Sequence, residues 1–193
     1  INHLSNSVQS CDVFIFIVPS TKEIKDFLFT NDTILKIKKG SVVIDLTTSN
    51  PEDSLKLSKD LSEKGIYYLD CGMTGGASGA DKGTLTLMIG GENEIIEKVK
   101  PILKSFTNNI FHVGKTGSGH ALKLIHNMAT HSIFLTTVEA VRSAEVLGIN
   151  PKKVIEVFNS GNARSYISEA RFPNHILSET WDGRSRVSNL YKD

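Results

Sequence analysis

Cysteine is scarce in this chain: Cys11 and Cys71 are its only two among 193 residues. Two thiols with no framework spacing exclude a disulfide scaffold and read as reduced, in a cytosolic or organellar setting. Long apolar runs are absent too. The longest, VFIFIV from Val13 to Val18, is far too short to cross a bilayer, and no signal peptide is visible. Neither sign of charge dominates. With 22 Lys and Arg against 21 Asp and Glu the formal net charge is +1, which gives no reason to expect nucleic acid or an acidic membrane as a partner. No internal repeat, low-complexity tract or metal site is expected. A hydrophobic content of 39% and a charged content of 22% are ordinary for a globular chain of one or two domains. A cytoplasmic location is the expectation, with any organellar leader lying ahead of Ile1.

Glycine, by contrast, is concentrated. The run from Asp70 to Gly91 reads DCGMTGGASGADKGTLTLMIGG, and nine of its twenty-two residues are glycine or alanine. Glycines 72, 75, 76, 79 and 83 permit positive φ and close approach to the main chain. Apolar strands flank the run, IYYL before and TLTLMI after. A Gly-rich loop at the carboxyl end of a strand is where open α/β sheets place ligands. Its exposed N–H groups suit an anion. The bland alternative is a surface loop with no ligand.

From His120 to Leu147 the chain runs without proline or glycine, long for a globular helix. Leu122, Ile125, Ala129, Ile133, Thr136 and Thr137, Ala140 and Ala144 recur at helical spacing. Lys123 and Asn127, four apart, share a face. Alone, Lys123 would be a solvated lysine. A helix this long with small residues along it buries more than one face, which points to oligomerisation. Upstream, β-branched runs alternate with helical patterns. Strands are expected at 12–18, 41–46, 66–70, 84–89 and 110–113, with helices at 21–29, 51–64 and 92–105. Downstream only helices are expected, at 119–147, 151–159 and 163–177. The predicted fold is α/β: a partial Rossmann-like, mainly parallel sheet over residues 1–114, then an all-α domain over 115–193 entered by the long helix.

Together the two stretches resemble the β-hydroxyacid dehydrogenase family, typified by 3-hydroxyisobutyrate dehydrogenase and related to 6-phosphogluconate dehydrogenase. Asp70, Gly75, Gly76, Gly79, Ala80, Gly83, Thr84, Leu85, Met88, Gly90 and Gly91 match its loop. Gly119, Lys123 and Asn127 match its G-x-x-x-K-x-x-N-N helix. VIDLTTSNP resembles its Thr-containing loop, and Lys192-Asp193 its K-D pair. Three positions depart: Gly72 for proline, Thr74 for serine, and His126 for the first Asn. The last is closer to the K-x-x-H-N of 6-phosphogluconate dehydrogenase. No G-x-G-x-x-G occurs. The expectation is a fragment lacking both termini of a larger dehydrogenase, or else a degraded homologue, and this stretch by itself is expected to bind a dinucleotide poorly.

The resemblance implies hydride transfer between NAD or NADP and a small β-hydroxyacid or its semialdehyde. Lys123 would be the general acid/base and Asn127 would hydrogen-bond the substrate. Thr74, Gly75 and Gly76 would hold the carboxylate, with Lys192 a further substrate-side candidate. Val18, Pro19 and Thr48 would border the cofactor. His126 is either a third catalytic group or a structural histidine beside the site. The assembly would be a homodimer or homotetramer. Two alternatives stay open: a decarboxylating 6-phosphogluconate dehydrogenase-type enzyme, and a non-catalytic homologue serving as a binding or oligomerisation module.

Overall fold

A computed structural model of the chain describes residues 7–183, so Lys192 lies outside the described residues. The chain forms two compact units, Ile1–Leu124 and Ile125–Asp193.

The first unit is built on five strands, β1 (Val13–Phe16), β2 (Val42–Asp45), β3 (Tyr67–Thr74), β4 (Leu85–Gly90) and β5 (Thr107–Gly114), adjacent in sequence order. Among the described residues the pairs β1–β2, β2–β3 and β4–β5 are parallel, and β3–β4 is antiparallel. The sheet is therefore mainly parallel, as expected. Helices α1 (Thr21–Phe29), α2 (Pro51–Ser62) and α4 (Asn93–Leu103) lie close to their expected bounds, and the caps of the first two are written in the sequence. Ser20 accepts from the Lys22 N–H, and Asn50 accepts from the Glu52 N–H with Pro51 opening the helix. Pro101 stands in the last turn of α4, which ends two residues later.

Alternation along the strands sorts the core into two faces. Val42, Ile44, Leu69, Cys71, Leu87 and Ile89 pack with Ile96, Val99 and Leu103 of α4. Val43 and Tyr68 pack with Ile24, Leu28, Leu57 and Leu61 of α1 and α2. At the edge, Ile15 and Ile17 of the β1 segment remain exposed.

The sheet is stepped. The row Phe16–Asp45–Asp70–Gly90–Gly114 runs across all five strands. β1 and β2 end on this row, whereas β3 continues for four more residues, paired with β4, to Thr74. At ~3.3 Å per residue that is an extension of about 13 Å. The Gly-rich run is thus not one loop. Its first five residues finish β3, and Gly76–Asp81 form a short helix, α3, before β4. Cys71 is buried and Met73 packs on the core, so the run alternates like a strand. Gly72 hides the pattern because it presents no side chain to the other face. Glycines 75, 76 and 83 do have positive φ, whereas Gly72 and Gly79 are there for close packing.

The long helix α5 (Ser118–Val146) starts in the first unit and continues in the second. The second unit adds α6 (Pro151–Ser160) and a π-helix over Ile167–Ile176, where a longer α-helix is expected from sequence. Pro173 lies inside that π-helix and cannot donate to an α-helical ladder. Val141, Val154, Ile155, Ile167 and Phe172 form the core of this unit. Along α5 the stripe read from apolar spacing is for the most part not the buried one: Leu122, Ile125 and Ile133 are exposed, Thr137 alone of the stripe is buried, and Asn127 and Val141 outside it are buried.

Candidate active site

The residue that organises the site is Asp70, on the step of the sheet and completely buried. Its carboxylate accepts the N–H of Gly117 at 2.7 Å and the N–H of His120 at 2.9 Å. These belong to the group of N-terminal donors that a helix cannot satisfy internally. A carboxylate also complements the positive end of the helix dipole. α5 is therefore capped by a side chain from β3, almost fifty residues earlier.

Three glycines let the helix approach this closely. A Cβ on Gly90 would lie 2.7 Å from the Lys115 carbonyl and 2.9 Å from the Gly119 nitrogen. One on Gly119 would collide with the carbonyls of Asp70 and Met88. One on Gly72 would stand 2.7 Å from the Gly119 carbonyl and 2.6 Å from the Cβ of Lys123. The spacing is matched: four helical residues rise about 6 Å, and two strand residues about 6.6 Å. Gly119 beside Asp70 and Lys123 beside Gly72 are thus in step. The half-buried stem of Lys123 starts from the base of the projecting β3–β4 ribbon.

Thr74, Gly75 and Gly76 form the end of that ribbon. Thr74 is half-buried, and both glycines are exposed. Gly75 has φ of +120° and Gly76 +61°. A Cβ at Gly75 would press on Leu85 at 3.3 Å, while one at Gly76 would meet nothing within 4 Å. The backbone at Gly76 is open to an incoming group. Val18 and Pro19 follow β1, and Thr48 follows β2, so they share the carboxyl edge of the parallel strands with the end of β3. Here the buried hydroxyls of Thr21 and Ser49 bond each other, tying the start of α1 to the loop after β2. Asn127 lies one turn beyond Lys123 on α5, in the second unit, with its Oδ1 3.4 Å from Nδ1 of His126.

Beneath the edge lies a buried polar cluster that sequence reasoning missed. Asp45 accepts the N–H of Thr47 at 2.9 Å and the hydroxyl of Tyr68 at 2.8 Å. The fully buried ring of His120 places Nδ1 2.7 Å from the Ser54 hydroxyl and Nε2 3.2 Å from the Asp45 carbonyl. Burial, followed by the neighbouring Asp45, pushes the Tyr68 phenol well above its ordinary range. Burial, followed by Asp70 and then Asp45, does the same to the Cys71 thiol. The signal in the sequence was Asp45 itself, a charge closing the apolar strand VVID. Among the described residues no group of three or more His, Cys, Asp or Glu is placed to hold a metal ion, and no helix is long and apolar enough to cross a membrane.

Residues 1–114 match the family model of the NAD binding domain of 6-phosphogluconate dehydrogenase. Residues 117–193 match the NAD-binding region of NADP-dependent 3-hydroxyisobutyrate dehydrogenase. The chain is 34% identical over 156 residues to 2-(hydroxymethyl)glutarate dehydrogenase of Eubacterium barkeri, covering 81% of this chain and 52% of that protein. It is 30% identical to the NAD-dependent L-serine dehydrogenase of Pseudomonas aeruginosa, over 97% of this chain and 65% of the relative. It thus spans between about half and two thirds of these relatives' lengths. The 3-hydroxyisobutyrate dehydrogenase of Salmonella typhimurium superposes with a TM-score of 0.84 at 24% identity, covering 97% of this chain and 66% of that one, and so shares the fold. The matched models and relatives place the chain in the β-hydroxyacid dehydrogenase family of 3-hydroxyisobutyrate and 6-phosphogluconate dehydrogenases, whose cofactor is NAD or NADP.

Proposed function

We propose that the protein of which this chain is part transfers a hydride between NAD(P) and a small β-hydroxyacid or its semialdehyde, with Lys123 as the acid/base. The observation that carries this reading is the contact of Lys123 with Gly72. It roots the only amine of the family motif at the base of the ribbon that ends in the open Gly76 backbone. In oxidation Lys123 takes the hydroxyl proton, and in reduction it returns it. Thr74, Gly75 and Gly76 receive the substrate carboxylate on hydroxyl and N–H donors. Asn127, which holds no exchangeable charge, hydrogen-bonds the substrate without competing for the proton.

The residues at the carboxyl edge fit a dinucleotide. Thr47 Oγ1 is buried there with no hydrogen-bond partner among the described residues, and Val18, Pro19 and Thr48 offer an apolar wall and a further hydroxyl beside it. When bound, NAD(P) supplies the hydride acceptor or donor. His126 favours a second reading, a decarboxylating phosphogluconate-type reaction, because it stands between Lys123 and Asn127 in the motif. The match of the helical part to the 3-hydroxyisobutyrate dehydrogenase model supports the first reading. Exposed Ile125, Met128, Ile133 and Leu135 on α5 support a homodimer or homotetramer. The two free thiols support a reducing, cytoplasmic location.

The test is a kinetic panel on the full-length protein: 3-hydroxyisobutyrate, glycerate-type acids, short semialdehydes and 6-phosphogluconate, each with both cofactors. Turnover of a short acid without CO2 release is expected, and CO2 release from 6-phosphogluconate would select the second reading. Lys123→Ala is expected to abolish turnover and leave NADH binding nearly unchanged in a fluorescence titration. Full activity in that variant would remove the lysine from the mechanism.

A further inference from the structure

We propose that His120 is a positioning residue that fixes the rotation of α5 about its own axis, and with it the placement of Lys123. The inference rests on the assignment of Lys123 as the acid/base. It concerns a histidine that takes no part in the chemistry.

Two constraints act on the first turn of α5, and they do different work. Asp70 binds backbone N–H groups of Gly117 and His120 at the helix end. Bonds to groups near the axis fix how far the helix slides along β3. They resist rotation poorly. The ring of His120 stands off the axis and is gripped at both nitrogens. The Asp45 carbonyl can only accept, so the proton is assigned to Nε2, 3.2 Å away. Nδ1 then accepts from the Ser54 hydroxyl at 2.7 Å. One grip comes from the end of β2 and the other from α2. Ser54 and His120 are both fully buried, so no water substitutes for either bond.

Lys123 follows three residues later on the same helix. With side chains a helix has a radius of ~5–6 Å, so a rotation of about 10° moves a side-chain end by about 1 Å. A misplacement of that size costs on the order of 10²-fold in rate. The His120 grip acts at a distance from the axis and so restrains rotation directly. It also refers the lysine to the end of β2, the strand whose following loop carries Thr47 and Thr48.

The experiment compares His120→Ala, His120→Gln and Ser54→Ala with the unaltered full-length enzyme, with Lys123→Ala as the reference for loss of the acid/base. His120→Ala is expected to lower kcat on the order of 10²-fold while the KM for NAD(P) changes little. In His120→Gln the side-chain amide donates to the same Asp45 carbonyl, and most of kcat is expected to return. Ser54→Ala, which removes one grip, should fall between. Amide hydrogen exchange, read in the same variants, should quicken over residues 117–123 and not in β3. Wild-type kcat in His120→Ala, or a fall that His120→Gln does not relieve, overturns the proposal. If Lys123→Ala retains full turnover, the acid/base assignment falls by itself. The exchange arm then decides the geometry: unchanged rates at 117–123 in His120→Ala refute the grip, and selectively faster rates uphold it. If His120→Ala does not fold, Ser54→Ala and His120→Gln carry the same comparison.

Discussion

Gly72 of β3 and Lys123 of α5 touch through the space where a side chain would be. A methyl group at position 72 would lie 2.6 Å from the Lys123 Cβ. Gly72→Ala must therefore push the helix away from the ribbon. Overpacking of this kind costs about 1–3 kcal/mol, and the displaced lysine loses its alignment. Urea unfolding should show the destabilisation. kcat should fall more steeply than stability alone explains, and a wild-type kcat would show that the lysine stem does not need this contact.

Gly76→Ala offers the opposite balance. The φ of +61° disfavours alanine by roughly 1–2 kcal/mol, but a Cβ there meets nothing within 4 Å. The fold should survive with a slightly lower Tm. The methyl would occupy the space proposed for the substrate carboxylate. KM for the acid substrate is expected to rise severalfold while NAD(P) binding holds, and an unchanged KM would move the anion site elsewhere.

Asp70→Asn tests the cap. The amide keeps one acceptor oxygen but turns an NH2 group toward a buried N–H of α5, and the charge facing the helix dipole is lost. A buried donor left unsatisfied costs ~1–3 kcal/mol. The midpoint of urea unfolding should shift down accordingly. Amides 117 and 120 should lose exchange protection before those of β2.

The two thiols should behave differently. Cys71 is buried, with its ionisation pushed up by desolvation and then by Asp70 and Asp45. Cys11 is only partly buried. Near neutral pH a thiol reagent should modify Cys11 quickly and Cys71 at the rate of unfolding. The sign of the pH effect follows. A folded-state pKa raised above the unfolded value contributes stability below the ordinary thiol range, and that stability is lost as pH rises above it. The buried Tyr68 phenol acts in the same sense at higher pH. Stability should decline in alkaline solution, and less so in Cys71→Ala.

The order of strands and helices was legible because the caps and periods are local. Asn50 and Pro51 announce α2, Ser20 caps α1 from the residue before it, and the apolar runs announce β1, β2 and β4. The step in the sheet was not legible. It depends on β3 continuing through a glycine that contributes nothing to the apolar alternation, and only the partner strand reveals the pairing of Gly72 with Met88. Lys123, Thr74 and Gly76 are candidates through the resemblance of their motifs to the family. Asp45, Ser54 and His120 were not assigned any joint role, because they meet across separations of 66 and 75 residues. The buried stripe of α5 was misjudged for a related reason. Apolar spacing marks the side that avoids water, and here Ile125 and Ile133 on that side remain exposed.

The crowding of Gly72, Gly90 and Gly119 around one helical turn makes them a single mutational unit. A methyl at any of them forces a retreat of α5, although at Gly90 it also meets the Asp70 carboxylate, and the gap so opened eases a methyl at the others. Double substitutions should therefore be sub-additive, the second costing less than it does alone. Sequence drift at these sites would then meet its steepest cost at the first replacement and a smaller one at those that follow.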